Sequence, residues 1–343
     1  MENSRSTPSR RSSGRVTLAE VAERAGVSAI TVSRALKHPD RVSNKLRAKI
    51  TLAVQELGYI PNQAARSLAS AESKIISVIF PSLSNAVFSD LLDGIHDSLV
   101  PAGYRILLAN SHYSITQEDE LVETMLEQNP DGIIITGIDQ SPKTKKRLQN
   151  INIPIVQVME LTDNPLDMSV GISHFDAGHA ITEHLFGKGY KKIGFIGARM
   201  DERAQRRMQG YRQSMIAHDQ DPDRYILTSL ANTSFQRGAD MMTELISKHN
   251  EIDALFLSND DLAAGAIFEC QRRGIQVPQQ LAIAGFNDLE FSKAINPALT
   301  TVAIPRFEMG KQAAQCLLDR IEDKPFSKSV DVGFSILDRE STR

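Results

Sequence analysis

The sequence of 343 residues has little of what marks secreted, membrane or metal-binding proteins. Its two cysteines, Cys270 and Cys316, both lie in apolar helical patterns, which argues against disulfides and against a cysteine zinc site. No apolar run approaches the roughly 20 residues that span a bilayer. The first 15 residues contain charges and serines but no apolar signal core. We therefore expect a cytoplasmic protein with no cofactor, no metal site and no membrane partner.

The sequence also lacks the short motifs of common enzymes. It has no phosphate-binding loop, no GxGxxG after a strand, no nucleophile elbow and no HExxH. His174, His179 and His184 recur every five residues, a spacing that spreads them around a helix and does not align them on a metal. We expect a protein that is not an enzyme. A sugar-metabolising enzyme and a sugar-binding transport protein are the alternatives from other classes.

The small net charge of -3 hides a strong asymmetry along the chain. Residues 1–70 contain 12 Lys or Arg and 5 Asp or Glu, whereas residues 71–343 contain 27 and 37. A basic segment of this size is expected for contacts with DNA phosphates, and an acidic remainder is repelled from them. Within the basic segment, residues 1–15 are predicted to be a disordered arm.

The segment TLAEVAERAGVSAITVSRA predicts two short helices joined by a tight turn. Thr17 and Glu20 have the spacing of a capping box, Gly26 suits a left-handed helix end, and Ser28 can cap the next helix. In that helix Val32 and Leu36 are the inward positions. An ordinary helical hairpin is the alternative, but the basic charge favours a helix-turn-helix bound to duplex DNA. The outward residues of the second helix are Ala29, Ile30, Thr31, Ser33 and Arg34.

A third helix completes this head, which we place at residues 16–60. It is capped by Ser43 and ends at Gly58, and its predicted buried stripe is Leu46, Ile50, Ala53, Val54 and Leu57. Residues 61–73 are predicted to be a hinge helix and linker. The helix begins at Asn62 and is too short to be stable unless docked.

From residue 74 onward short apolar runs alternate with amphipathic helices, a pattern typical of parallel sheets covered on both faces. The predicted fold class is therefore α/β after a three-helix head, with an effector-binding and dimerisation domain at 74–343. Its two parallel-sheet subdomains divide near 161–171. The predicted strands are 75–80, 105–109, 132–136, 155–158, 193–196, 254–257 and 281–285. The predicted helices are 88–100, 117–127, 176–186, 205–217, 235–247 and 260–273.

These segments resemble the LacI family of bacterial repressors, in order and spacing, from about Val16 onward. The matching segments of the head and hinge are TLAEVAERAGVSAITVSRAL, VSNKLRAKI, ELGYIPN and AARSLA. Those of the body are HLFGKGYKKIGFIG, SNDDLAAGAIFECQRRGIQVPQQLAIAGFND and PALTTV. Within the family, GARMDER and AAGAIFECQRRGIQVP most resemble the gluconate branch. The resemblance implies a bacterial homodimer, associated with the nucleoid through operator DNA, whose periplasmic-binding-protein-like body binds a small effector.

For DNA, the resemblance implies heads in successive major grooves and paired hinge helices in the minor groove. The positions that read bases fall on Ala29, Ile30 and Arg34. The first two can contact thymine methyl groups, and Arg34 can form two hydrogen bonds with a guanine. In the hinge, Ala65 is a predicted contact, and Leu68 matches a leucine that wedges into a base step, with a helix-core leucine as the alternative. Polar residues placed for phosphates are Thr17, Ser28, Thr31, Ser33 and Asn62.

Candidate effector residues follow four predicted strands, in the segments 82–88, 199–207, 258–261 and 287–288. Because ligands bind beyond the carboxyl ends of parallel strands, all four segments should line one cleft. Arg207 matches an effector-binding arginine of the family, and its planar fork suits a carboxylate or neighbouring hydroxyls. The alternatives are a solvated helix arginine for Arg207, a helix cap for Asn259 and a core residue for Phe88. The predicted effector contacts are Ser82, Phe88, Arg207, Asn259 and Asn287.

Asn287 departs from the aspartate that many family members have at this position. An amide there removes a negative charge and, with the arginine-rich segment 199–207, favours an anionic ligand such as gluconate or a related sugar acid. Glu160 is a counter-signal if it points into the cleft. Effector binding is expected to lower operator affinity, although another sugar or a co-repressing metabolite is the alternative. No leucine heptad follows Glu322, so a dimer is expected and not a tetramer.

Overall fold

The computed structural model describes residues 16–60 and 72–343. The chain divides into two compact units between Ser73 and Lys74, and each is described by itself. The predicted arm at 1–15 lies outside the described residues. So does most of the predicted hinge, including Asn62, Ala65 and Leu68.

Within residues 16–60 the first unit contains three helices, α1 (Leu18–Ala25), α2 (Ala29–Lys37) and α3 (Asn44–Leu57), with a short 3-10 turn at Pro39–Arg41. The predicted capping box is present, since the Thr17 amide donates to Glu20 Oε2 over 2.6 Å and the Glu20 amide donates to Thr17 Oγ1 over 3.3 Å. Gly26 and Gly58 end α1 and α3 with φ of 59° and 62°, a conformation that glycine adopts without steric cost. Ser43 occupies the cap position of α3, but its side chain makes no capping hydrogen bond.

Within residues 16–60, seven small or branched side chains form the core of the first unit. They are Val21, Ala22, Ala25, Val32, Ala35, Ile50 and Ala53. The predicted stripe of α3 is confirmed, with Leu46, Val54 and Leu57 packed at its edge. The inward face of α2 was only partly predicted. Ala35 is buried and Leu36 is half-buried, because the short alanine, one turn after Val32, lets the backbone of α2 come close to its neighbours.

The second unit contains two six-stranded sheets. The order is β11-β5-β4-β3-β1-β2 in the first sheet and β12-β10-β9-β8-β6-β7 in the second. All neighbours are parallel except β12, which is antiparallel to β10. The first sheet comprises β1 (Ile75–Phe80), β2 (Arg105–Asn110), β3 (Gly132–Thr136), β4 (Ile155–Glu160), β5 (Met168–Ile172) and β11 (Ser329–Asp331). The second comprises β6 (Ile193–Ala198), β7 (Ile226–Ser229), β8 (Ala254–Leu257), β9 (Ala282–Asn287), β10 (Thr300–Ala303) and β12 (Ser335–Leu337).

Eight helices among the described residues cover these sheets. They are α4 (Ala86–Leu99), α5 (Ile115–Glu127), α6 (Pro142–Gln149), α7 (His174–Gly187), α8 (Glu202–Ala217), α9 (Phe235–Lys248), α10 (Asp260–Arg273) and α11 (Arg306–Ile321). The inner strands are buried along their whole length, as the continuous apolar runs predict. The α/β fold class with two parallel-sheet subdomains is therefore confirmed.

Two features of the chain path differ from the sequence-based assignment. The segment 161–171, interpreted as the division between subdomains, includes most of strand β5, because Met168–Ile172 pairs with β4 in the first sheet. The segment 330–337, whose pattern predicts one short strand, contributes to two, since β11 joins the first sheet and β12 the second. The chain therefore crosses between the sheets three times, after β5, after β10 and after β11. Each sheet with its helices is called a subdomain below.

Candidate ligand cleft and helix-turn-helix surface

A cavity of about 50 Å³ lies between the two subdomains. Its lining comes from segments that follow the carboxyl ends of strands in both sheets, which is where open parallel sheets bind ligands. The first subdomain contributes Asn85, Val87, Phe88, Tyr113 and Met159. The second contributes Ala198, Arg199, Asp201, Arg203, Ala204, Arg207, Thr233, Ser258, Asn259 and Asn287. A space of this size holds only a few water molecules, so a larger ligand requires the subdomains to separate.

Arg207 lies on α8 with 7% of its surface exposed. Its Nε donates to Nδ1 of His174 over 3.1 Å, and its Nη1 donates to the carbonyl oxygen of Ser258. The guanidinium carbon is 3.7 Å from the ring centre of Phe286. Burial lowers the pKa of Arg207 to about 9, so the group is still cationic at neutral pH. Its Nη2 makes no hydrogen bond to any residue that the structure describes.

Close packing of α7 on α8 sets the backbone position of Arg207. A Cβ atom added at Gly178 of α7 would lie 2.3 Å from the carbonyl oxygen of Arg207. One added at Gly210 of α8 would lie 2.1 Å from the carbonyl oxygen of Phe175. Both distances are impossible for a real side chain, so these two glycines allow the helices to approach closely enough for His174 and Arg207 to meet.

Two further arginines face the same cavity. Arg203 is one helical turn before Arg207, and it donates to Asp201 Oδ2 over 2.8 Å. Arg199 stacks on Tyr113 with its guanidinium carbon 3.8 Å from the ring centre. The Nε of Arg199 is buried and has no hydrogen-bond partner in the described chain. With three arginines and the single carboxylate of Asp201, the lining carries an excess of positive charge.

Three asparagines supply polar groups around these cations. The Oδ1 atoms of Asn85 and Asn259 cap α4 and α10 by accepting from the amides of Val87 and Leu262, each over 3.0 Å. Their Nδ2 groups are left to donate. The Oδ1 of Asn287 is buried without a hydrogen-bond partner among the described residues.

The backbone of Asn287 is held in an uncommon conformation, with φ of 119°. Arg306, at the start of α11, donates from Nη1 to the carbonyl oxygen of Asn287. The same guanidinium donates to Asp90 Oδ2 on α4, from Nε over 2.9 Å and from Nη2 over 2.7 Å. Arg306 therefore connects the end of β9 in the second sheet to a helix of the first subdomain.

Of the predicted effector contacts, Phe88, Arg207, Asn259 and Asn287 line the cavity. Ser82 is not among the residues that line it. The chain turns between β1 and α4, where Ser82 Oγ lies 3.3 Å from Ser84 Oγ, and the next polar residue, Asn85, reaches the cavity instead.

Tyr113 lies outside the four predicted segments, whereas Asn85, Asp201 and Arg203 lie inside them but were not singled out as contacts. Arg203 could have been found, because a spacing of four residues places it on the same helix face as Arg207. His174 is completely buried against Arg207, which its spacing with His179 and His184 did not indicate.

Glu160 does not line the cavity. Its side chain is buried, and its Oε2 is 3.6 Å from Arg206 Nε. Burial raises the pKa of Glu160 to about 7. The counter-signal against an anionic ligand is therefore weak, because this carboxyl is partly protonated at neutral pH and lies beside a cation of its own.

The outward face of α2 in the first unit is accessible. Ile30 is 72% exposed and Arg34 is exposed, while Thr31 and Ser33 are half-buried. Ala29 is half-buried and packs against the core of the unit, so only part of its methyl surface is available. Thr17 and Ser28 are exposed and also cap helices, with Thr31 donating its amide to Ser28 Oγ over 3.2 Å.

Two family profiles match the chain. Residues 17–62 match the bacterial regulatory proteins of the lacI family, and residues 182–342 match a periplasmic-binding-protein-like domain. No helix within residues 16–60 and 72–343 combines the length and apolar composition needed to cross a membrane.

Similar proteins cover nearly the whole chain. The HTH-type transcriptional regulator GntR of Pseudomonas aeruginosa is 40% identical over 97% of this chain and 97% of its own length. GntR of Escherichia coli is 39% identical over 94% of this chain and 97% of its own. The chain therefore belongs to the LacI family of bacterial transcriptional regulators.

Solved structures of LacI-family proteins are similar to this structure over nearly the whole chain. A LacI-family regulator from Silicibacter pomeroyi has a TM-score of 0.90 at 32% identity, covering 96% of this chain and 99% of its own. The lac repressor dimer bound to operator and an anti-inducer has a TM-score of 0.83 at 25% identity, covering 96% of this chain and 99% of its own.

Proposed function

We propose that this regulator represses transcription at an operator and that a sugar acid, gluconate or a close relative, controls its operator affinity from the cleft. The main support for this proposal is the Arg207 cation at the cavity, whose hydrogen-bond partners are both neutral. Arg207 has neutral partners on Nε and Nη1 and none among the described residues on Nη2. A ligand carboxylate supplies the missing acceptor, and arginine suits it because the fork can bind both oxygens.

The rest of the cavity suits a polyhydroxy chain. The Nδ2 groups of Asn85 and Asn259 can donate to hydroxyl oxygens, and Asn287 Oδ1 can accept from a hydroxyl. Leaving a buried acceptor such as Asn287 Oδ1 unpaired costs roughly 1 to 3 kcal/mol, so a ligand that pairs with it is favoured. The similarity to two GntR regulators supports the gluconate branch.

DNA recognition is assigned to α2 and the hinge. Ile30 presents an apolar surface for thymine methyl groups and Arg34 a guanine-binding fork. Ala29 contributes its partly exposed methyl group, while Thr17, Ser28, Thr31 and Ser33 are placed for phosphates. We extend the hinge contacts of the family to Asn62, Ala65 and Leu68.

Two copies of the chain would place two heads on one operator. The second unit exposes an aromatic cluster in which the Phe235 ring centre is 6.0 Å from that of Phe268 and 5.5 Å from that of Phe291. Phe235 and Phe268 are 45% and 39% exposed, which suits an interface between subunits. The structurally similar lac repressor is a dimer on its operator.

Effector binding is expected to change the separation of the subdomains and, through the dimer, to lower operator affinity. The coupling is reciprocal, so operator DNA must weaken gluconate binding by the same factor. Equal gluconate affinities with and without operator would contradict this mechanism.

The direct test is a thermal-shift series on the full chain with gluconate, ketogluconate, phosphogluconate and glucitol. Glucitol is the matched neutral control, because it has the gluconate chain with an alcohol in place of the carboxylate. A ligand at 100 times its Kd stabilises the protein by about 2.7 kcal/mol. We expect at least one acid to raise the melting temperature and glucitol not to. No shift with any of the three acids would refute the sugar-acid proposal.

A further inference from the structure

We propose that His174 positions the Arg207 guanidinium for the ligand carboxylate without neutralising its charge. This inference rests on the function proposed above. His174 is the first residue of α7, directly after the chain crosses from the first sheet, and it is completely buried. It contacts Met159 at the end of β4 on one side and Arg207 on the other.

The two neighbours define which ring nitrogen carries the proton. Arg207 Nε can only donate, so Nδ1 of His174, 3.1 Å away, must accept. The carbonyl oxygen of Met159 can only accept, so Nε2, 3.0 Å away, must donate. Both bonds exist together only in the neutral imidazole. Burial, with the charges of Arg207 and Arg203, holds the pKa of His174 well below its usual range.

With His174 in place, most of the Arg207 fork is fixed. Nε is bonded to the imidazole, Nη1 to the Ser258 carbonyl at the end of β8, and the planar face lies on Phe286. The remaining Nη2 is then directed by the plane of the group. Because the Met159 bond comes from the first subdomain, the orientation of Arg207 depends on elements from both sides of the cleft.

The chemical identity of the acceptor matters. A carboxylate beside Nε would orient the guanidinium equally well but would also cancel its charge, as Asp201 does for Arg203. A neutral imidazole accepts the same hydrogen bond and leaves the positive charge for the ligand. The difference explains why Arg203 and Arg207, on one helix face, have different roles. Arg203 donates directly to a carboxylate, whereas Arg207 donates only to neutral groups and feels Asp201, Glu160 and Asp260 without a hydrogen bond to them.

The test is a double-mutant cycle on the full chain, with gluconate affinity measured by calorimetry. His174→Leu removes both hydrogen bonds, and Arg207→Lys retains the cation but removes the fork, so binding stays measurable. We expect each single variant to raise Kd about tenfold, and the double variant also about tenfold, because His174 acts only through Arg207. His179→Gln, at a partly exposed site on α7, is the matched control and should leave Kd unchanged.

A second variant, His174→Asn, keeps an acceptor near the Nδ1 position and should restore affinity to within about threefold of the native value. If melting curves show that His174→Leu does not fold, His174→Asn is used in its place. A double variant weakened about a hundredfold would overturn the proposal, because the two residues would then act independently. So would an Asn variant as weak as the Leu variant, or a Leu variant as strong as the native protein. If the native protein does not bind gluconate, the proposed function fails first and this inference fails with it.

Discussion

The helix-turn-helix head and the cleft satisfy their polar groups in opposite ways. In the head, Thr17 and Glu20 bond each other and Ser28 bonds Thr31, so the polar groups are paired between residues three apart in the sequence. In the cleft, Arg199 Nε and Asn287 Oδ1 are buried and have no hydrogen-bond partner in the described chain. These polar groups of the head are therefore satisfied within the head itself, which presents an exposed face. The cleft instead retains buried polar groups with which a ligand can form hydrogen bonds. The two regions should therefore respond differently to mutation.

The largest expected effect is in the cleft. Arg207→Gln removes the cation proposed to bind the carboxylate and should weaken gluconate binding by about a hundredfold or more, because a charged hydrogen-bonded pair is lost. Operator affinity without effector should be unchanged. Arg212→Gln is the matched control, since Arg212 lies on the same helix and bonds Asp223 at the surface. Calorimetry measures the first effect and fluorescence anisotropy on a duplex selected from a random pool measures the second. Equal losses in both variants would contradict the assignment.

In the head we expect the opposite pattern, in which operator affinity changes and effector affinity does not. Arg34→Gln removes the guanine-binding fork and should lower operator affinity by about ten- to a hundredfold, while gluconate affinity stays native. Arg24→Gln is the control, because Arg24 is an exposed arginine that pairs with Glu56 away from α2. A loss as large for Arg24→Gln would show that the effect is general charge and not base recognition.

A smaller effect should follow at the rim of the cleft. Arg306→Gln removes the bridge between Asp90 and the backbone of Asn287, so the Asn287 amide loses its fixed direction. We expect gluconate Kd to rise about tenfold. Asp90→Asn, which keeps the Arg306 bond to the Asn287 carbonyl, should cost less, because Asp90 is half exposed. Equal effects of the two substitutions would argue against a role for the Asn287 backbone.

The pH dependence of stability should reveal the raised pKa of Glu160. Its folded pKa of about 7 lies above the usual 4.5, so the folded state favours the protonated form. The stabilisation from the protonated Glu160 carboxyl is complete below pH 4.5. It is lost as pH rises through about 7, and the total loss is up to about 3 kcal/mol. Glu160→Gln should make the melting temperature of the second unit less dependent on pH between 5 and 8. An unchanged profile would contradict the raised pKa.

The smallest effect is expected at the capping box of the head. Thr17→Ala should reduce the stability of the head by about 1 kcal/mol. Bonds from Thr17 lower the pKa of the exposed Glu20, so their contribution is present above pH 4.5 and is lost as pH falls through the lowered value. The substitution should abolish this acid dependence and leave the melting of the second unit unchanged. A shift in the second unit instead would show that the box is not a local feature.

The same contrast explains what the sequence could predict. The caps at Thr17, Gly26 and Gly58 depend on neighbours within a few residues, so the pattern specifies them. The strands at 75–80, 132–136 and 254–257 were predicted to the residue because they are continuous buried runs. Strand β5 was missed, since its five residues follow a polar segment and pair with strands distant in sequence as well as with β4.

The cleft required contacts between distant parts of the chain. Arg207 meets His174 across 33 residues and Ser258 across 51, and Arg306 meets Asp90 across 216. No local periodicity encodes such distances. The polar residues at strand ends could be predicted as a group. Which of them form hydrogen bonds within the protein depends on the three crossings of the chain between the sheets, and these could not be predicted.

In the proposed switch, Arg207 binds an anionic effector in the cleft, and the affinity of the head for operator DNA falls as a result. The most direct measurement is operator affinity of the full chain, by anisotropy on the selected duplex, during titration with gluconate and with glucitol. We predict that gluconate lowers operator affinity by about tenfold or more, that glucitol has no effect, and that Arg207→Gln responds to neither. Equal responses to gluconate and glucitol, or a native response in Arg207→Gln, would contradict the account.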